Sequence, residues 1–262
     1  MKTGVMERLA EIAARYDTDK SASHGYLGDF EEVLGDRRTK PTAVLELGVF
    51  HGGSMQMWRD YFASGPVVGL DLNQIEVPDT SGRIRTYAGS QDDAVLLDRI
   101  RAECAPDGFD LIIDDCSHIG RLTKASFWHL YPRHLRPGGI YVIEDWGTGY
   151  WDTWSDGHHF DPASDGPGLG RRAGRRIGSR LGRRPSLVGR LGRRIWRSFG
   201  PQHLPSHDYG MVGFIKQLVD ECGMPDITAP GRGGLSPARP STIQKMRLTT
   251  GHVFVFKPPA AD

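Results

Sequence analysis

Cysteine is scarce in this 262-residue chain: there are three, Cys104, Cys116 and Cys222, and no two have CxxC spacing. So odd and dispersed a set excludes a disulfide framework and a thiolate zinc site, and it suits a reducing compartment, so a cytoplasmic location is expected. Long apolar runs are missing too. Nothing approaches the ~18 residues that would span a bilayer, and the first twenty residues carry Glu7, Glu11, Asp17 and Asp19 where a signal peptide would have its apolar core. Neither a membrane span nor a leader is expected. A third absence is the GxGxxG fingerprint, because the glycines of the first candidate ligand loop are Gly48, Gly52 and Gly53. That argues against a dinucleotide pyrophosphate at a helix N-terminus, and so against a nicotinamide dehydrogenase. No internal repeat is found, which excludes a solenoid.

Acidic and basic residues nearly cancel, to a net charge of +1, but they are unevenly placed. Arg171 to Arg197 holds eleven arginines and no acid, leaving 22 basic against 32 acidic residues elsewhere. The basic character therefore belongs to one segment and not to the fold. Ile177, Leu181, Val188, Leu191 and Ile195 form a broken apolar stripe there, although six glycines and prolines weaken any helix.

The rest alternates between strand and helix. Val5, Leu9, Ile12, Ala13 and Tyr16 recur at helical spacing, and a polar loop, Asp17 to Tyr26, follows. Strands are predicted at 43–47, 67–70, 84–88, 109–113 and from the Gly138-Gly139 turn to 144, with helices at 53–62, 92–104 and up to His134. After Gly147 the rhythm stops, as in a lid, a binding loop or disorder. A helix at 209–222 and an antiparallel hairpin, 242–248 with 252–256, close the chain. The length and this order predict one α/β domain with a doubly wound parallel sheet, an N-terminal helical cap over 1–40 and an insertion over 147–205.

Two strands end in acid: Leu111-Ile-Ile-Asp-Asp-Cys-Ser-His118 and Ile140-Tyr-Val-Ile-Glu-Asp-Trp146. Either alone reads first as a helix cap, with Asp114, Asp115 or Ser117 capping the segment from Ile119. Both together, at the carboxyl ends of consecutive strands, favour a site. Asp115, Glu144 and Asp145 offer hard oxygens suited to Mg²⁺, and His118 beside them suits a general base. Glu144 and Asp145 can share one ion only if the strand has already ended, since neighbours in a strand face opposite ways. The same alternation sends Asp114 toward the cofactor side and Asp115 toward the metal. Asp71, ending the second strand, is placed for a ribose diol or as a turn residue before Asn73. Gly89 to Asp93 could line an adenine pocket or cap the next helix. Trp146, Tyr150, Trp151 and Trp154 suit an acceptor wall or ordinary burial. Cys116 reads as a buried filler, His158 and His159 as polar loop, and Asp17 to Tyr26, with Lys20, His24 and Tyr26, as an N-terminal lid or a helix connection.

As an ordered set, Asp17-Thr-Asp-Lys20, Leu45-Glu-Leu-Gly48, Gly53-Ser54, Met57-Trp58, Gly69-Leu-Asp71, Gly89-Ser-Gln91, Ile113-Asp-Asp-Cys-Ser-His118, Pro137-Gly-Gly139, Val142-Ile-Glu-Asp-Trp146 and Phe214-Ile-Lys-Gln-Leu-Val-Asp220 resemble the class I S-adenosylmethionine-dependent methyltransferases. Within them the chain looks most like the Mg²⁺-dependent sugar O-methyltransferases of the mycinamicin type. The resemblance implies a Rossmann-like fold with S-adenosylmethionine and Mg²⁺ as cofactors. It places Glu46, Gly48 and Ser54 along the methionine portion, Asp71 at the ribose and Gln91 near the adenine. It makes Asp115, Glu144 and Asp145 the metal ligands and His118 the base. Cys116 departs from the glycine common at that position. The implied partner is a small saccharide or glycoside, with nucleic acid disfavoured and a homodimer left open. The chain also looks like the actinobacterial enzymes that methylate the reducing-end 1-OH of short methylated mannosides, precursors of methylmannose polysaccharide. A non-catalytic nucleotide-binding module with an arginine-rich recruitment segment is the competing class.

The arginine-rich segment is expected to act as a lid on the acceptor side. Replacing residues 168–198 by a short Gly/Ser linker should leave folding and cofactor binding intact and raise KM for the acceptor. Wild-type acceptor kinetics, with loss of binding to RNA or anionic vesicles, would instead make it a recruitment segment.

Overall fold

A computed structural model describes residues 8–21, 26–158, 207–231 and 238–260. The arginine-rich segment, Val5, His24 and His159 lie outside the described residues, and with them the lid expectation. Seven strands form one sheet: β1 (Val44–Leu47), β2 (Val67–Asp71), β3 (Ile84–Ala88), β4 (Phe109–Asp114), β5 (Leu135–Glu144), β6 (Lys245–Leu248) and β7 (His252–Phe256). Their order is β3-β2-β1-β4-β5-β7-β6. The first five are parallel, and β7 runs antiparallel between β5 and β6. The predicted doubly wound sheet with a closing hairpin is what forms. The winding reverses between β1 and β4, so the loops after these two strands border a crevice at the carboxyl edge.

Helices cover both faces. On one lie α1 (Leu9–Ala13), α2 (Tyr26–Leu34) and α3 (Gly53–Tyr61), packed on Val44, Leu111, Ile113, Val142 and Phe254. On the other lie α4 (Ala94–Cys104), α5 (Gly120–Arg133) and, after the short α6 (Ser155–His158), the long α7 (Gly210–Ile227), packed on Leu45, Ile112, Tyr141 and Val255. Strand residues thus alternate between two buried faces, which is why β1, β4 and β5 read as unbroken apolar runs. No helix among the described residues is long and apolar enough to cross a membrane.

Some elements depart from the sequence expectation. The helix α2 falls partly in what reads as a polar connection, yet Tyr26, Leu27, Phe30 and Leu34 carry a helical period and are buried. Strand β5 begins at Leu135, ahead of the Gly138-Gly139 turn, and an irregular register opposite Phe109 and Leu111 absorbs the bend. The last helix runs to Ile227, past Cys222 and through Pro225, and ends where Thr228 bonds back to the Met224 carbonyl.

The caps differ too. Asp93 caps α4, accepting from the amides of Val95 and Leu96. At α5, none of Asp114, Asp115 and Ser117 serves as the predicted cap. Buried Asp156 of α6 reaches in instead, one oxygen accepting both Gly120 N and Met211 N at 2.7 Å, so a single carboxylate caps α5 and α7 together. Anionic groups belong at helix N-termini, where free amides and the helix dipole favour them. Asp156→Ala should lower the unfolding free energy by about 2–4 kcal/mol, measured by urea denaturation. A loss below about 0.5 kcal/mol would show that water replaces the cap at no cost.

Candidate active site

The crevice is a cavity of about 440 Å³ over the carboxyl ends of β1, β2 and β4. Its walls come from Asp17 to Lys20, Gly48 to His51, Gly53 and Ser54, Asp71 and Leu72, Asp115 to His118, Asp145 and Trp154. Two glycines are obligatory here. A Cβ on Gly48, whose φ is +91°, would lie 2.0 Å from the Asp115 carbonyl oxygen, and one on Gly53 would lie 2.0 Å from that of Asp17. Backbone contact at these points joins the first loop to the β4 loop and presses the N-terminal segment onto α3.

Strand parity decides which acids meet. Glu46, Asp115, Glu144 and His252 follow β1, β4, β5 and β7 on the face covered by α1–α3, while Asp114 takes the opposite face. In the middle of the first group stands Lys20. Its ammonium is 2.6 Å from Asp115 Oδ2, 2.8 Å from Glu144 Oε1 and 3.5 Å from Glu46 Oε1, with the side chain almost wholly buried. Burial works against that charge, but the Asp115, Glu144 and Glu46 carboxylates outweigh it and raise the lysine pKa well above its ordinary value. Burial likewise opposes the Asp115 carboxylate, and Lys20 overcomes it and holds that pKa low. Glu46 receives less help. Burial pushes it up to about 7 against the pull of Lys20 and of the Ser54 hydroxyl, which donates to Oε2 at 2.8 Å.

Asp145 escapes the strand alternation because β5 has ended. Its φ is +52°, in the left-handed region, and Tyr26 OH donates to its Oδ1 at 2.6 Å. His118 is also left-handed, at +51°, with Nε2 at 3.8 Å from Asp115 Oδ1 and the Trp154 ring edge-on at 5.0 Å. Asp115, His118 and Asp145 each present a ligand atom within 4.8 Å of the others. Of the predicted metal ligands, Asp115 and Asp145 converge with His118 beside them, and Glu144 is buried next to them, its Oε1 meeting the same Lys20 ammonium as Asp115 and its Oε2 3.7 Å from His252 Nε2. Two carboxylates and one imidazole suit a hard divalent ion, which prefers the oxygens and leaves the nitrogen for proton transfer.

The expected cofactor residues divide. Gly48, Ser54 and Asp71 line the cavity, and Glu46 lies buried directly beneath it. Asp71 accepts from the amides of Val49, Phe50 and Asn73, so it shapes the first loop as well as its own turn. Asp114 and Gln91 lie off the wall. Gln91 Nε2, Ser126 Oγ and Tyr141 OH all donate to the Asp114 carboxylate at 3.0–3.1 Å, and Gln91 Oε1 takes the Ser117 amide. This buried knot ties the loop ahead of α4 to α5, β5 and the β4 loop behind the site.

The acceptor wall needs correcting, for of its four aromatics only Trp154 faces the cavity. Trp146 packs on the core and donates to the Thr249 carbonyl, Tyr150 packs on His207, and Trp151 is half exposed away from it. Packing of large rings near α7 claims Trp146 and Tyr150, while Trp151 stays on the surface. Cys116 lines the cavity as a thiol, but burial and nearby carboxylates push it up to about 12, so it is a filler and not a nucleophile. Sequence reasoning missed the counter-ion role of Lys20, which depends on contacts 95 and 124 residues away. A separate cluster, Asp98 with His129 and His134, is a hydrogen-bonded clip between α4 and α5, and Arg133 occupies the other nitrogen of His129.

The fold and cavity define the class as a class I methyltransferase. The relatives make it narrower: the chain is 36% identical over 227 residues to mycinamicin VI 2''-O-methyltransferase of Micromonospora griseorubida, covering 83% of this chain and 54% of that protein. It is 37% identical over 234 residues to demethylmacrocin O-methyltransferase of Streptomyces fradiae, covering 85% and 56%. No family model matches the chain. Among solved structures, a methyltransferase from the mycinamycin biosynthetic pathway in complex with Mg and SAH superposes with a TM-score of 0.67 at 29% identity, covering 97% of this chain and 55% of that one. The chain thus spans about half the length of the curated relatives it matches, and these homologues are sugar O-methyltransferases.

The Asp114 knot has a measurable consequence. Burial outweighs its three hydrogen bonds and the electrostatic pull of His118, and raises its pKa from 3.8 to about 6. The folded state then holds a proton that the unfolded chain has released, so stability falls as pH rises between these values and levels off above them. The stability difference between wild type and Asp114→Asn should shrink by about 2–4 kcal/mol from about pH 4 to about pH 6.5. Urea unfolding across that range checks it, and a constant difference would mean that Asp114 is ionised throughout.

Proposed function

We propose that this chain is an S-adenosylmethionine-dependent O-methyltransferase acting on a hydroxyl of a sugar or short saccharide. The observation that carries the reading is the meeting of His118, Asp115 and Asp145 at one end of a cavity whose remaining wall is the Gly48–Ser54 loop and Asp71. A binding module has no need of an imidazole and two carboxylates arranged in this way.

Gly48, Ser54 and Asp71 would hold the cofactor, and Asp115, Glu144 and Asp145 the ion. When bound, the cofactor supplies a methyl group that needs no further activation, and Mg²⁺ supplies acidity to the acceptor hydroxyl. The protein has to align that hydroxyl and take its proton. His118 is placed for the second task, its Nε2 facing Asp115 Oδ1 so that the imidazolium formed would have an anionic neighbour. The edge-on Trp154 fixes the ring from the other side and offers its own surface to sugar C–H groups. Held geometry supplies much of the rate in a two-substrate transfer.

For the acceptor we take the 1-OH of a short methylated mannoside, on the strength of the resemblance to the enzymes of methylmannose polysaccharide assembly. A sugar of a macrolide-type natural product is the second reading, favoured by the aligned relatives, which are named for mycinamicin VI and demethylmacrocin. Methyl transfer from labelled cofactor to each acceptor in parallel decides between them, and transfer to neither would overturn both. In the same assay EDTA should abolish turnover and Mg²⁺ restore it. His118→Ala should lower kcat by about 10²-fold or more, with S-adenosylhomocysteine affinity by calorimetry unchanged. Full activity after rigorous chelation, or an unaltered kcat, would sink this mechanism.

A further inference from the structure

His118 and Trp154 meet at the cavity wall, and neither stands on a strand or a long helix. His118 is left-handed, a conformation that costs of order 1–3 kcal/mol and lasts only where its surroundings enforce it. Trp154 precedes the four-residue α6. One residue ties the two together. Asp156, buried two positions after Trp154, accepts at its Oδ2 the amide of Gly120, two positions after His118, at 2.7 Å. Residues 118–120 and 154–156 are thus joined at both ends, by the edge-on rings with centroids 5.0 Å apart and by this hydrogen bond. The same oxygen accepts Met211 N at 2.7 Å, so both segments are referred to α7, whose Phe214 and Leu218 lie in the core. The fit leaves no slack. A Cβ on Gly210, whose φ is +57°, would strike the Asp156 carboxyl, one on Gly120 would strike the Gly210 backbone, and one on Gly157 would strike the Trp151 carbonyl.

We propose that Asp156 is a positioning residue for the transfer: by fastening residues 154–156 to residues 118–120, and both to α7, it holds Trp154 against His118 and so fixes the direction in which the imidazole meets the acceptor hydroxyl. This rests on the reading of His118 as the base. A base must reach its proton in a defined direction, and a misplacement of about 1 Å can cost about 10²-fold in rate. On its N-terminal side His118 is already held, since Ser117 N donates to Gln91 Oε1 at 3.2 Å. Asp156 supplies the matching anchor on the C-terminal side. It lies off the cavity wall, so its effect passes through the two rings, and the cofactor loops Gly48–Ser54 and Asp71 belong to other segments. A helix cap alone would act through charge at the two N-termini. Register needs only an oxygen in the right place, which a carboxamide also provides.

That difference gives the test, made on the full chain with Asp156→Ala and Asp156→Asn, and with Trp154→Ala as reference. The first readout needs no acceptor. With ¹³C-labelled histidine, the His118 ring protons are followed by NMR in protein saturated with S-adenosylhomocysteine, and are assigned by their loss in His118→Gln. Trp154→Ala shows how far these signals move when the indole is gone. Asp156→Ala should move them most of that distance, and Asp156→Asn should leave them near wild type. The second readout is methyl transfer to whichever of the two acceptors above turns over, at a temperature where urea titration finds each variant folded. Asp156→Ala should lower kcat about tenfold or more with unchanged S-adenosylhomocysteine affinity, and Asp156→Asn should recover most of that loss while remaining less stable than wild type. If Asp156→Ala does not fold, Gly157→Ala displaces the same turn with the carboxylate intact and is expected to move both readouts in the same direction. His118 signals unmoved by loss of the carboxylate, or an asparagine variant as slow as the alanine one, would overturn the proposal. Signals displaced as expected in a protein that methylates neither acceptor would overturn the reaction reading and uphold the register alone.

Discussion

Carboxylates withdrawn from water at the ends of adjacent strands repel one another, and a sheet that places Glu46, Asp115 and Glu144 on one face must neutralise them to fold at all. Each buried ion costs several kcal/mol in lost hydration, and only close, well-directed partners offset it. Here the partner is the Lys20 ammonium, within 2.8 Å of two of the three acids. Much else follows from that contact. The chain ahead of α2 is drawn across the cavity, α3 must begin with a glycine to let it pass, and Glu46, the least compensated of the three, is left with its pKa near neutrality.

The left-handed residues solve a second geometrical problem. Phe50, His118 and Asp145 are the non-glycine residues with positive φ among those described, and all three border the cavity or follow a strand into it. Such conformations cost of order 1–3 kcal/mol each, and aspartate and histidine bear them better than most. At Asp145 the reversal ends the alternation of β5. Glu144 goes inward to the lysine and Asp145 outward to the cavity, so one dipeptide serves both layers of the site.

The sheet was legible because buried parallel strands are short apolar runs, and each run ended where a turn or an acid said it should. The acid pairs at 114–115 and 144–145 were legible for the same reason, as were the alternation that splits Asp114 from Asp115 and the filler role of Cys116. What could not be read was partnership at a distance. Nothing local distinguishes Lys20 in a polar loop from a surface lysine, or Asp156 from a turn residue, since both act through contacts made only when the sheet is assembled. The aromatics after β5 failed differently. A tryptophan suits a core and a sugar equally well, and its neighbours in sequence do not say which surface it will meet. The hydrogen bonds that join Gln91, Asp114, Ser126 and Tyr141 were equally out of reach, because they span four separate segments of the chain.

Asp156 binds the first amide of α5 and the second amide of α7, and His207 meets both the Gly149 carbonyl and the Tyr150 ring. The described stretches around 149–158 and 207–211 are therefore fastened to each other. Two helices that share one capping carboxylate open together, so α5 and α7 form one cooperative block instead of two ends that fray separately.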